Sequence, residues 1–521
     1  MNWKRREFLK TAAGCSLLSL LPRSGLFAAP AGTTRPPNVL FLFSDQHNAD
    51  ALGFTGNPNA FTPNLDRLAG RGTRFERAYC NDGICAPSRN SIFTGQYPRT
   101  IGIHDNAVFE ASALDRWTPL QRAFKRAGYF TFTTGKRHLL HKVDTDWDYA
   151  AGDLKSEVHD TINYWGWLQQ QGLTVQAKAD FAVELGGPEH AAHFGCKISQ
   201  LPPQATMEAF AANQTIQFLK SPQAKQKPFF AWSTFYRPHQ PYTPQQSYVD
   251  QIDFAKLRLP ATLWQNADEL PPLVQALRHR TTPPWDLVNG DEASYRRYVG
   301  YYHALVREVD HHIGSIWETL EQEGLAENTI IVYASDHGDF VGGHGLIEKA
   351  AAAQCYYEEV LRVPLLFHWP GKITSGMVSQ ELVELVDLYP TIMELCELPL
   401  PRGYTFPGRS LAPTLRRGAP SGRKYVVAEN WGQATVIAAD YKYGQWVNSP
   451  LAKYDERSFG NMLMQRSTDP GEIKNLIADP RAAATLRQMQ GYLAEWLTKT
   501  DDAGRREFVA TKCKGMTYQP I

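Results

Sequence analysis

The chain is 521 residues long, more than one ordinary domain of about 150 residues needs. Its 43% hydrophobic and 21% charged residues are ordinary globular usage and exclude wholesale disorder. Lys+Arg (54) and Asp+Glu (53) nearly cancel, which argues against a polyanion-binding protein held by bulk charge, and no internal apolar run approaches the roughly 18 residues of a membrane span.

The first element is a basic head, Lys4-Arg5-Arg6-Glu7-Phe8-Leu9-Lys10, followed by a mild apolar stretch and small residues. That order is the pattern of a signal peptide, and Ala29-Pro30-Ala31 fits its cleavage site. The Arg-Arg pair followed by Phe-Leu-Lys resembles a twin-arginine signal. Residues 1–31 are therefore expected to direct export to the periplasm or the medium. Cys15 lies at the front of the apolar stretch, where a lipidated Cys would follow it. The remaining Cys80, Cys85, Cys196, Cys355, Cys396 and Cys513 show no zinc-site spacing. In an oxidising compartment they allow up to three disulfides, or two with a spare if one Cys does chemistry.

Four apolar runs then read as buried parallel strands, and each ends in residues able to bind metal or anion. Residues 38–44 lead into Asp45-Gln46, and 128–134 into Gly135-Lys136-Arg137-His138. Residues 228–235 lead into Arg237-Pro238-His239, and 329–335 into Asp336-His337-Gly338. In open α/β sheets ligands sit at the carboxyl ends of the strands, so these groups are expected to converge. A long helix over 295–323 carries one apolar stripe from Val299 to Leu320. The stretches 145–205 and 250–292 show no period and read as surface loops. The Pro- and Gly-rich run 399–420 reads as a linker. Strand-like runs at 424–428, 435–438 and 441–446, then a helical pattern over 482–497, read as a small α+β domain. The predicted fold is α/β: a large, mainly parallel sheet flanked by helices on both faces, with a smaller C-terminal antiparallel sheet plus helix. Its divisions are a signal peptide (1–31), a catalytic domain (32–420) and a C-terminal subdomain (421–521).

The segment Cys85-Ala86-Pro87-Ser88-Arg89 places a Cys near a helix start, since Pro87 suits the first helical position. Amide groups there favour negative charge, and a Cys can become an activated nucleophile. Followed by Thr94-Gly95, this segment resembles the signature of the formylglycine-dependent sulfatases of the alkaline phosphatase superfamily, in which the Cys is oxidised to an aldehyde. Gly-Lys136-Arg-His138, Arg-Pro-His239-Gln-Pro, Ser-Asp336-His337-Gly and Gly-His344-Gly-Leu-Ile-Glu-Lys349 fall in family order, as do Asp310 in the long helix and Glu358-Glu359…Arg362-Val363-Pro364.

The resemblance implies that Asp45, Gln46, Asp336 and His337, with the modified Cys85, bind a divalent cation, expected to be Ca²⁺. The nitrogen of His337 suits it less well than oxygen. Lys136, His239 and Lys349 are implied to grip the sulfate, Arg89 to hold the aldehyde hydrate and His138 to lie in reach of it. One hydroxyl of the hydrate attacks sulfur, with Asp336 taking its proton and His239 giving one to the leaving oxygen. The second hydroxyl, helped by His138, collapses to the aldehyde and frees sulfate. His104 is a candidate substrate contact, and Trp165, Trp167, Tyr236 and Tyr242 are candidate sugar-stacking rings. His311-His312 reads as a surface pair.

The implied function is an exported sulfatase acting on a sulfated carbohydrate, with a maturing enzyme that makes the formylglycine as its partner. A phosphonate or phosphate mono- or diester hydrolase of the same superfamily is the alternative, and His337 resembles those enzymes, whereas the Lys136-x-His138 pair favours sulfate. A non-catalytic binding protein would need a lost ligand or nucleophile, and none is missing.

Overall fold

The computed structural model describes residues 35–500 except 104–105, 107–115, 141, 153–159, 185–188, 190–194, 273, 276–289, 350–355, 431–432 and 447–459. The expected signal peptide, His104, Cys355 and Cys513 lie outside the described residues. Contacts divide the chain after Arg35, and the fold and the site both belong to the unit beginning at Pro36.

The strands are β1 (Asn38–Asp45), β2 (Thr73–Phe75), β3 (Ala78–Tyr79), β4 (Phe130–Gly135), β5 (Tyr149–Ala151), β6 (Phe229–Pro238), β7 (Thr329–Ser335), β8 (Leu365–His368), β9 (Met377–Ser379) and β10 (Val383–Glu384). Among the described residues, eight of them form one sheet in the order β5-β4-β6-β1-β7-β8-β2-β9. From β5 to β7 every neighbour is parallel, whereas β8 runs against both β7 and β2. The β3 and β10 pair forms a separate small ladder.

Central strands read as unbroken apolar runs because helices cover both faces. Side chains still alternate. Val39, Phe41 and Phe43 of β1 join Phe230, Trp232 and Val332 in one core, which also holds Ile92 and Phe93 of helix α1 (Cys85–Thr94). Leu40 and Leu42 point the other way and meet Ile313, Ile316 and Leu320 of α2 (Glu292–Gln322). The stripe read from the sequence of α2 is buried throughout. The helix starts earlier than its apolar pattern because the Asp291 carboxylate accepts the Ser294 N–H and caps it. The Asp310 carboxylate on α2 accepts the N–H groups of Asn64 and Leu65, at the start of the helix Pro63–Arg71. His311 is exposed and His312 half-buried, as a surface pair should be.

Strands β11 (Tyr425–Asn430), β12 (Gln433–Ala438), β13 (Tyr441–Trp446) and β14 (Met462–Gln465) form an antiparallel meander. Helix α3 (Ala483–Thr500) covers one face through Met489, Leu493 and Trp496. From the other face, Val426, Ala428 and Ile437 enter the main core.

Three sequence readings change. The run 399–420 is not a free linker: it contains the short helix Ala412–Arg417, and Leu411, Ala412 and Leu415 sit in the main core. Its Pro and Gly residues mark turns, while burying each Leu contributes about 1.5–3 kcal/mol that turn signals do not reveal. The stretch 145–205 holds β5 and the helices Tyr164–Gln170 and Thr174–Phe181. These are too short to display a period and are held by aromatic packing of Tyr164, Trp165, Trp167 and Phe210. Finally, Cys80, Cys85, Cys196 and Cys396 are all buried free thiols, so no disulfide occurs among the described residues.

Candidate active site

The carboxyl ends of β4, β6, β1 and β7 lie side by side, and Ser44 of β1 pairs with both Phe235 and Ser335. That register brings Asp45, Lys136, His239 and Asp336 to one edge of the sheet. Gly135 makes the exit from β4 with φ +80°, and a side chain there would strike the Thr234 carbonyl oxygen. The helix α1 begins at Cys85 itself, and Pro87 is its third residue. A proline is tolerated there because the first four N–H groups of a helix have no partner within it. The Asp82 carboxylate accepts the Ile84 N–H, Asn106 accepts that of Ala86, and Ser88 donates to the Asp336 carbonyl at 2.6 Å.

Asp45, Cys85, Asp336 and His337 each offer one donor atom within 4.8 Å of the others, and all four are buried. The Cys85 sulfur lies 3.2 Å from His337 Nε2 and 3.7 Å from both Asp45 Oδ1 and Lys136 Nζ. His337 Nδ1 faces the Gly338 carbonyl at 2.9 Å, so a proton there leaves the Nε2 lone pair for the cluster. Two carboxylates, an imidazole and a thiol form a donor set that fits a divalent cation.

Arg89, fully buried, ties this cluster together. Its Nε donates to Asp336 at 2.7 Å, its Nη2 to Asp45 at 2.8 Å and its Nη1 to the Lys136 carbonyl at 2.6 Å. The guanidinium thus binds the two carboxylates and the β4 exit. Lys136 Nζ meets Asp45 at 2.5 Å and stands 4.7 Å from the centre of the Tyr236 ring. Burial opposes the charge on Asp45, yet Lys136 and Arg89 hold its carboxyl well below the usual range. Burial and Asp45 push the Cys85 thiol up, but Lys136, Lys349 and His337 outweigh them, and its pKa falls below the ordinary thiol value.

His239 Nε2 lies 3.4 Å from Lys349 Nζ and 3.9 Å from Asp45 Oδ1. Burial, with Lys136 and Lys349 alongside, holds its pKa well below the usual imidazole value, so the ring is neutral. Gln46, expected as a metal ligand, lies between Lys349 and Asp339. Its Oε1 accepts from Lys349 at 2.9 Å, and its Nε2 donates to Asp339 at 2.6 Å. His138 is half-buried, and its loop hangs from α1: the Asn90 side chain donates to the His138 carbonyl at 3.5 Å and accepts the Leu140 N–H at 3.1 Å. Of the four candidate stacking rings, Tyr236 and Tyr242 are buried and Trp165 and Trp167 are partly buried against other rings.

Two groups have roles that the sequence did not reveal. Asp339, buried between Gln46, Tyr298 and Tyr242, orients Gln46. The Asp336-His337-Gly338-Asp339 run contained it, and its acidic neighbour drew the attention. Arg237 is the second. It donates to the carbonyls of His239 and Pro241 and to Thr243, while its own N–H is taken by Glu208 at 3.0 Å. This fork fixes the loop that presents His239.

The site is a buried thiol within a donor set that could hold a metal ion, with basic side chains beside it. The family model for sulfatases matches residues 37–398, and a second, for the C-terminal part of N-sulphoglucosamine sulphohydrolase, matches residues 342–499. N-acetylglucosamine-6-O-sulfatase of Bacteroides thetaiotaomicron is 25% identical, over 89% of this chain and 85% of its own. A protein solved with its substrate D-glucosamine-2-N,6-O-disulfate aligns at a TM-score of 0.72 and 22% identity, over 90% of this chain and 99% of its own. The phosphonate monoester hydrolase of Silicibacter pomeroyi aligns at 0.72 and 24% identity, over 90% and 96%. The chain belongs to the sulfatase family and is a sulfuric ester hydrolase.

Proposed function

We propose that this chain is an exported sulfatase which hydrolyses the sulfate ester of a carbohydrate after Cys85 has been converted to formylglycine. The observation that carries the reading is the buried Cys85 sulfur, 3.7 Å from Lys136 and 3.2 Å from His337 within the donor cluster. A plain thiol would be a poor catalyst of sulfate release, whereas an aldehyde hydrate supplies one hydroxyl to attack sulfur and a second to expel sulfate. Asp45, Asp336, His337 and residue 85 would hold a divalent cation, which makes a neighbouring hydroxyl more acidic. Once a hydroxyl replaces the sulfur, three of those four donors are oxygen, which suits Ca²⁺.

Lys136 and Lys349 face the place where negative charge collects on the sulfate oxygens. Burial, together with their charge, keeps His239 neutral in the resting site. A bound sulfate ester offsets both lysines and raises the basicity of His239, which can then carry a proton to the leaving oxygen. Asp336, anchored by Arg89, takes the first proton, and His138 serves the release step. The carbohydrate class is supported by the N-acetylglucosamine-6-O-sulfatase relative and by the neighbour solved with a sulfated glucosamine. Export rests on the twin-arginine pattern of residues 1–31. It fits a maturing enzyme that acts before the folded protein leaves the cytoplasm.

The reading is tested by paired assays with an aryl sulfate and an aryl phosphonate monoester. Turnover of the sulfate at least a hundredfold faster is expected. The reverse preference would support the second reading, a phosphonate hydrolase, which His337 in the ligand set favours.

A further inference from the structure

A cleft of about 890 Å³ opens beside Gln96 and Tyr97, just beyond the C-terminal end of α1. Cys85 begins that helix of 10 residues, so the cleft lies about one helix length, roughly 15 Å, from the reactive sulfur. Its volume falls within the range of ligand sites.

Two carboxylates line the cleft and both are engaged. Glu384 accepts from Arg423 at 2.9 Å and from the Tyr97 hydroxyl at 2.8 Å, and Glu495 meets Lys499 at 2.5 Å. Arg409 and Lys424 line the same cleft and are exposed. Neither has a carboxylate within ion-pair distance among the described residues; the Arg409 guanidinium donates only to the Ser421 carbonyl, at 3.2 Å. The cleft is therefore positive on a chain whose net charge is +1.

Aromatic rings stand beside these cations already ordered. Tyr404 packs edge-on to Trp117 at 4.8 Å, and Tyr425 stacks on Tyr492 at 4.8 Å. Both tyrosines are half-buried, with apolar faces and a polar tip. Ring faces suit the apolar faces of sugars, and exposed Arg and Lys suit sulfate or carboxylate groups. A long polynucleotide would need a wider basic surface than a near-neutral chain offers.

We propose that this cleft is a second saccharide site, which holds a sulfated stretch of glycan apart from the ester being hydrolysed. The inference rests on the carbohydrate reading of the catalytic site. Dextran sulfate is the probe, in affinity electrophoresis of the full-length protein, with neutral dextran as control. Wild type should be retarded by dextran sulfate alone. R409E/K424E should lose at least tenfold in affinity while hydrolysing a small aryl sulfate at the wild-type rate. K220E/K227E, which reverses two exposed lysines elsewhere, should bind as wild type does.

An equal loss in both double variants would mean bulk charge alone and would overturn the proposal. So would unchanged affinity in R409E/K424E, no retardation of wild type, equal retardation by neutral dextran, or stronger binding to single-stranded DNA than to dextran sulfate. The aryl sulfate assay separates the two readings: its failure in wild type counts against the catalytic one, and the binding comparison is read independently.

Discussion

Arg89 and Lys349 stand in the same site and answer to different physics. Arg89 has no exposure and joins two fully buried carboxylates. Removing one partner of such a network leaves charge uncompensated and costs about 3–5 kcal/mol. Arg89→Ala should therefore lower the unfolding free energy by that amount in denaturant titrations. Lys349 is only half-buried and reaches Gln46 and His239 from outside the carboxylate pair. Lys349→Ala should lose most of its aryl sulfate turnover with a melting temperature within a few degrees of wild type. A large drop in melting temperature would make Lys349 structural. Arg237→Lys removes the fork that holds the His239 and Pro241 carbonyls. A displacement of about 1 Å there can cost about a hundredfold in rate, so kcat should fall 10- to 100-fold with the fold retained. Unchanged kcat would dismiss this positioning role. At this scale the sequence was informative where chemistry-bearing residues follow a strand, as Lys136, His239 and Asp336 do. It placed Arg237 at a strand end without its role, which is to hold the His239 and Pro241 carbonyls just beyond it, and it was silent on Asp339, whose partners Gln46, Tyr242 and Tyr298 lie far away in the chain.

Elements decide where those residues go. Strands β4, β6, β1 and β7 were readable because burial on both faces demands apolar residues throughout. The helix α2 was readable because it buries only one stripe. Short helices between 164 and 181 were not, since two turns of aromatic-rich chain carry no measurable period. The join between the main core and the C-terminal sheet was also hidden. There Lys442 of β13, nearly fully buried, meets Glu358 at 2.9 Å and also Glu472, while Arg466 reaches Glu358 at 3.0 Å. Nothing in local sequence announces an ionic network assembled from three distant segments. Lys442→Met should destabilise by about 3–5 kcal/mol by stranding Glu472, as measured by chemical unfolding. A change below about 1 kcal/mol would show that the network contributes little.

At the scale of the molecule, two buried imidazoles make a contribution to stability that depends on pH. Burial lowers the pKa of His47 to about 4 and, with His47 nearby, that of His303 to about 3. Both stand near 6.5 in the unfolded chain. At these two groups the unfolded state therefore binds more protons between those values, and their contribution to stability rises with pH across that window. The stability conferred by the neutral rings is fully present above about pH 6.5 and is lost as pH falls towards 4, by several kcal/mol in total. The stability of wild type relative to His303→Phe should therefore fall between pH 7.5 and 4.5, as read by chemical unfolding of both proteins. A difference between the two proteins that does not change with pH would contradict the assignment of a neutral buried ring at His303.

The proposed mechanism turns on what stands at position 85. The most direct measurement is the mass of the peptide carrying Cys85, from protein purified out of its native host. A peptide in which the thiol has been replaced by an aldehyde is the result expected of a formylglycine-dependent sulfatase. An unmodified thiol in active protein would contradict the mechanism, whatever the sheet and the cluster around it suggest.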